Sequence, residues 1–204
     1  MDQRLKNRDY TFILAREATP SAFAPPGLKR QWRIAEKSIL AIARHCEELD
    51  ASGLNIYLAT NPYQKLAQTS SNTLLLLFED SYATPEVHLL EALQAAIADY
   101  FQHQQNTITP SGGDIILVIL DGEPTQQREI VKLLVETTQK IDDPDSLGIM
   151  FAEVGENPMV RGFLQSLDDD LAIAGAKFDL VDTKILGNIA PDDIENFLLN
   201  SILD

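Results

Sequence analysis

The chain has 204 residues, 45% of them hydrophobic and 23% charged, which fits one globular domain large enough to bury a real core. Its net charge of −15 excludes the basic face that nucleic acid or an anionic membrane requires, and suits a basic protein partner or a bound cation. The single cysteine, Cys46, excludes an internal disulfide and a cysteine zinc cage, and its helical context makes it a small core residue.

Tyr10 to Leu14 is uncharged and rich in β-branched, aromatic and aliphatic side chains, as expected of a strand covered on both faces. It ends in a polar loop from Ala15 to Thr19, followed by the proline-rich stretch Pro20 to Gly27. Leu28 to Leu49 carries Trp32, Ile34, Ala35, Ile39, Leu40, Ile42, Ala43, Cys46 and Leu49 at helical spacing, with Trp32 expected as a partly buried helix residue. Leu54 to Ala59 alternates as a strand. Residues 60–70 are polar, with Asn61-Pro62 as a turn. Leu74 to Phe78 fits either a short helix capped by Ser70 or Ser71, or a strand. Glu86 to Gln104 reads as a long helix, and Ile115 to Leu120 as a second buried strand that ends in Asp121-Gly122-Glu123-Pro124.

Pro124 is placed in the first turn of a helix running to about Ile141. Leu147 to Val154 is a third buried strand, and Pro158 to about Leu167 a helix, with Asp168 to Asp170 expected in a solvated turn. A strand over Phe178 to Asp182 and a helix over Asp192 to Leu203 close the chain. Strands and helices alternate throughout, which predicts an α/β fold: a three-layer, Rossmann-like arrangement of a mostly parallel central sheet with helices on both faces. No composition break divides the chain, so residues 1–204 form one domain with its core over about 8–204. The amino terminus shows no secretory signal, and runs such as Leu74 to Phe78 are too short to span a bilayer, so a cytoplasmic protein is expected.

Three stretches resemble the von Willebrand factor A-type domain, in its stand-alone bacterial cytoplasmic form: Arg8-Asp9-Tyr10-Thr11-Phe12-Ile13-Leu14, Asp121-Gly122-Glu123-Pro124, and Phe163 to Leu171 with Gly175-Ala176-Lys177-Phe178-Asp179. The resemblance spans about Arg8 to Asp204. It implies a metal-ion-dependent adhesion site at the carboxyl edge of the sheet. There a first loop supplies an Asp-x-Ser-x-Ser run, a second loop a threonine and a third an aspartate, and a partner carboxylate completes the shell of a hard divalent cation. This sequence departs from the pattern. Ala15 stands at the aspartate, Glu17 at the first serine, Thr19 at the second and Val87 at the threonine; Asp121 alone is unchanged. Thr84 substitutes only if its loop is remodelled.

Losing an anion and a direct hydroxyl favours a metal-free, degenerate site with no cofactor. Arg16 is then expected where the cation would be, paired with Glu17 or Asp121. The alternative keeps magnesium or manganese on Glu17, Thr19 and Asp121. The resemblance implies a non-catalytic interaction domain, an adaptor or scaffold in a multiprotein assembly. Its protein partner would meet a rim of Arg16, Glu17, Thr19, Phe23, Thr84 and Asp121. Asp121-Gly122-Glu123-Pro124-Thr125 also resembles the Asp-x-Asp-x-Thr run of haloacid-dehalogenase-type phosphatases, with Asp121 as nucleophile, though Glu123 replaces the second aspartate. His45, His88 and His103 are scattered and expected in solvent or at helix ends.

Overall fold

The computed structural model describes residues 2–18, 26–80, 82–106 and 112–202. Among these, six strands form one sheet: β1 (Asp9–Ala15), β2 (Leu54–Leu58), β3 (Gln64–Thr69), β4 (Asp114–Leu120), β5 (Leu147–Glu153) and β6 (Val181–Ile185). Their order is β3-β2-β1-β4-β5-β6, and every pairing is parallel except β2 with β3. The helices are α1 (Leu28–Leu49), α2 (Ser71–Glu79), α3 (Leu89–Asn106), α4 (Gln127–Lys140), α5 (Pro158–Asp170) and α6 (Ile194–Asn200).

Strand periodicity sorts the core into two layers. Tyr10, Phe12 and Leu14 of β1, with Ile115, Leu117 and Ile119 of β4, pack against α1, α2 and α6. Ile13 and Ala15, with Ile116, Val118 and Leu120, face α3, α4 and α5. Alternate residues of a strand point to opposite faces, so an uninterrupted apolar run is what a sheet sandwiched between helices demands. All seven residues of β4 and all seven of β5 are buried.

The structure departs from the expected elements where apolar periodicity is absent or ambiguous. Residues 64–69 form β3, an antiparallel edge strand exposed along most of its length, so no inward-facing alternation marks it in the sequence. Over Leu74 to Phe78 the helix prevails: Ser71, Leu74 and Phe78 are buried at helical spacing, while Leu76 remains exposed. α3 begins at Leu89 rather than Glu86, because the His88 N–H donates to Ala59 O and holds that segment at the end of β2. α4 starts at Gln127, after Pro124 rather than around it.

α5 runs on through Asp168 to Asp170, so these residues form its last turn instead of a free turn. There the Thr183 hydroxyl donates to Asp168 Oδ2 at 2.7 Å. β6 begins at Val181 rather than Phe178, and α6 covers Ile194–Asn200 after a turn over 191–193. No helix among the described residues is long and apolar enough to cross a membrane.

Candidate functional site

β1 and β4 are hydrogen-bonded neighbours, yet the chain leaves them toward opposite sides of the sheet. At such a switch point the loops after the two strands part and leave a crevice at their carboxyl ends. The residue following β4, Asp121, sits in it. Its Oδ1 accepts from the backbone N–H of Glu17 at 3.0 Å, and its Oδ2 accepts from Trp32 Nε1–H at 2.7 Å. Residues 15–18 and 121 therefore meet, as the sequence led us to expect.

Trp32, read from sequence as a partly buried helix residue, is a buried structural partner of the site at 2% exposure. A buried indole needs an acceptor for its N–H, and that requirement is the sequence signal that points beyond simple packing. Trp32 and Glu36 are four residues apart on α1 and so share one face of it. Together they hold Arg16. Its guanidinium carbon lies 4.5 Å from the Trp32 ring centroid, and its Nη1 donates to Glu36 Oε1 at 3.0 Å. The expected pairing of Arg16 with Glu17 or Asp121 is thus corrected: α1 offers an aromatic face and a carboxylate side by side, and the guanidinium takes both.

Ala15, Glu17 and Val87 line one narrow cleft together with Leu120 and Pro124. Ala15 is buried and Val87 half-buried, and neither side chain has an oxygen. Glu17 is exposed, and its carboxylate lies beside Gly122, where an added Cβ would come within 3.2 Å of Oε2. Thr84 is buried and serves the loop itself. Its hydroxyl donates to Glu86 O at 2.8 Å, its N–H donates to Arg16 O, and its carbonyl accepts from Ala18 N–H. Thr19 and Phe23 lie outside the described residues. On the other side of Asp121 a second cleft is bounded by Leu28, Gln31, Val154, Gly155 and Asn157.

Burial raises the Asp121 carboxyl above the ordinary carboxylate range. The Glu17 N–H, the Trp32 indole and the charge of Arg16 pull the other way by favouring the ionised form. Hydrogen bonds to a charged group are worth about 1.5–3 kcal/mol each, so the two donors hold the carboxylate firmly in a protein-internal role. A cation or substrate approaching Asp121 must compete with both.

His88 faces Glu86 and Glu91 at 3.5 and 3.6 Å, and His45 faces Glu48 and Glu195, each at 3.8 Å. Neither has another histidine in a metal-ligating group among the described residues.

No family model matches the chain, and no curated protein matches it. Among solved structures, it is similar to proximal thread matrix protein 1 from the mussel byssus, with a TM-score of 0.53, 10% sequence identity and 97% of this chain covered. The chain spans about half the length of that protein, 47%. At that identity the likeness speaks for the fold alone.

Proposed function

We propose that the chain is a non-catalytic protein-interaction domain of the von Willebrand factor A type, a cytoplasmic adaptor whose adhesion site works without a cation. One observation carries this reading: both oxygens of Asp121 are engaged by donors from the chain itself. Internal donors stand where a metal would draw on the carboxylate, while the side chains of Ala15 and Val87 have nothing to contribute to a coordination shell. Partner recognition then falls to the rim: exposed Glu17, the Gly122–Thr125 turn, and the clefts on either side of Asp121. Arg16 and Thr84 shape this rim by anchoring its loop, and the acidic chain favours a basic partner surface.

Calorimetry with magnesium and manganese tests the cation-free state. The expected result is that Asp121→Ala leaves every cation isotherm unchanged. Saturable sub-millimolar binding that disappears in Asp121→Ala would overturn the reading and restore the metal-dependent alternative. A photo-crosslinking residue at position 17 tests the rim. The expected protein adduct forms equally with magnesium and with chelator, and an adduct that forms only with magnesium would count against the proposal.

A further inference from the structure

The opposite edge of the sheet carries a second cluster of chemistry-bearing side chains. Asp9 opens β1 and Asp114 opens β4, and the two are paired directly in the parallel register. Their side chains fall on the same face of the sheet, toward α3. From the last turn of α3, His103 places Nδ1 2.6 Å from Asp9 Oδ2. One ligand atom from each of Asp9, His103 and Asp114 can be chosen so that all lie within 4.8 Å of one another.

Aspartate is disfavoured in strands, and like charges side by side on neighbouring strands repel. Asp114 is nevertheless 94% buried, at 6% exposure, and its Oδ1 finds no hydrogen-bond partner among the described residues. A buried, unsatisfied carboxylate oxygen is costly unless something cationic meets it. The group is also built in place. Asp9 Oδ1 accepts from the Ser52 hydroxyl at 3.3 Å, leaving Oδ2 toward His103. The Asp9 N–H donates to Gly113 O at 3.1 Å. Gly113 adopts φ +96°, and a Cβ there would meet Ser146 O at 2.3 Å, so only glycine brings Asp114 in at this angle. An open cleft with Ser52, Lys65 and Gln102 on its walls leads to the cluster from solvent.

We propose that Asp9, His103 and Asp114 form a binding site for a divalent first-row transition cation, with zinc as its best-matched ligand. One imidazole nitrogen and two carboxylates suit zinc, whereas magnesium and calcium prefer all-oxygen shells. Zinc–ligand bonds of about 2.0–2.2 Å place donors roughly 3–3.5 Å apart, so small side-chain rotations close the cluster around the ion. Water reaching the cleft completes the coordination. The Asp9 and Asp114 carboxylates lie side by side with Arg8 as a nearby counter-charge, and a bound cation would relieve their remaining repulsion. The site lies at the other end of the strands from Asp121 and is independent of the proposed adaptor function.

The test is calorimetry of the chelator-stripped full chain with zinc chloride, paired with visible absorption of the cobalt form. The expected result is one saturable site per chain, with a cobalt spectrum of mixed nitrogen and oxygen ligation. His103→Ala, a change at a half-exposed position with its fold checked by circular dichroism, should weaken binding by at least about tenfold and abolish that spectrum. Asp114→Ala should do the same. His45→Ala, His88→Ala and Asp121→Ala should change neither readout. Zinc binding that survives His103→Ala undiminished, or a wild-type chain that takes up no zinc, would overturn the proposal.

Discussion

Asp114 opens β4 and Asp121 follows its last residue, so the strand has a buried carboxylate at one end and a half-buried one at the other. At the carboxyl end the chain supplies its own donors, an indole and a backbone amide, one to each oxygen of Asp121. At the amino end the nearest register partner is another acid, and Asp114 Oδ1 is left unmatched among the described residues. The difference shows that burial alone does not decide what a carboxylate is for. A carboxylate with internal donors is part of the framework, and one without them is a demand placed on something outside the chain.

The largest effect is expected at Trp32. Trp32→Ala removes a buried aromatic and exposes Asp121 to the loss of a donor, and is expected to cost about 3–5 kcal/mol in urea unfolding at neutral pH. Trp32→Phe keeps most of the packing and isolates the hydrogen bond, with an expected cost of about 1.5–3 kcal/mol. A cost near zero would mean that the indole is packing rather than partnering Asp121.

Paired substitutions sharpen the contrast. Asp121→Asn is expected to destabilise by about 1–3 kcal/mol, since its amide NH2 leaves one of the two donors without an acceptor. Asp114→Asn in chelator is expected to be neutral or to stabilise by up to about 1 kcal/mol, since it removes like-charge repulsion with Asp9. Denaturant midpoints of the two variants should therefore move apart, and equal shifts would erase the distinction between the two ends.

A pH dependence follows from the raised Asp121 carboxyl. Its folded pKa lies above the unfolded value, so the stability this linkage adds is fully present below the unfolded value of about 3.8 and is lost as pH rises through the folded one. Trp32→Phe deletes a donor that favours the ionised form, which raises the folded pKa further. The cost of Trp32→Phe should accordingly be smaller at pH 3 than at pH 7, measured against wild type at each pH. A cost that is flat across this range would show that the indole does not sense the charge on Asp121.

The smallest effect is a gain. Ala15→Asp, Glu17→Ser and Val87→Thr together place an anion and two hydroxyls in one cleft. Weak magnesium affinity should appear by calorimetry, and should strengthen when Trp32→Phe frees Asp121 Oδ2. Absence of any gain would mean that these three loops do not supply a common coordination shell.

Much of the architecture is written locally and was legible in the sequence. The apolar run of β1, the three- and four-residue spacing along α1 and the closed runs of β4 and β5 each report burial through nearest-neighbour pattern alone. β3 escaped because an exposed edge strand has little inward face to show. The expected closeness of residues 15–19 and Asp121 held over the described residues 15–18, since both segments follow buried parallel strands. The partners did not come through. Trp32 and Asp121 are 89 positions apart, and no periodicity joins an indole to a carboxylate at that range. Arg16 was misassigned for the same reason, because Glu36 becomes its neighbour only once α1 packs beside β1. Asp9 and Asp114 stand at the mouths of two apolar strands, but nothing in the sequence singles Asp114 out. Their adjacency awaited the strand order, and His103 awaited the far end of α3.

The two outermost strands also bear on how this molecule meets others. Along β3 the ladder slips register opposite Leu54 and Ile56, and Gln68 turns to φ +49°. On β6, Asp182 is folded inward with Lys184 reaching back to its Oδ1 at 3.2 Å. Kinks and inward charges of this kind deny a second polypeptide the straight hydrogen-bonding margin it needs to extend a sheet or seed a fibril. Among the described residues both margins of the sheet thus carry devices that disfavour edge-on pairing with another chain.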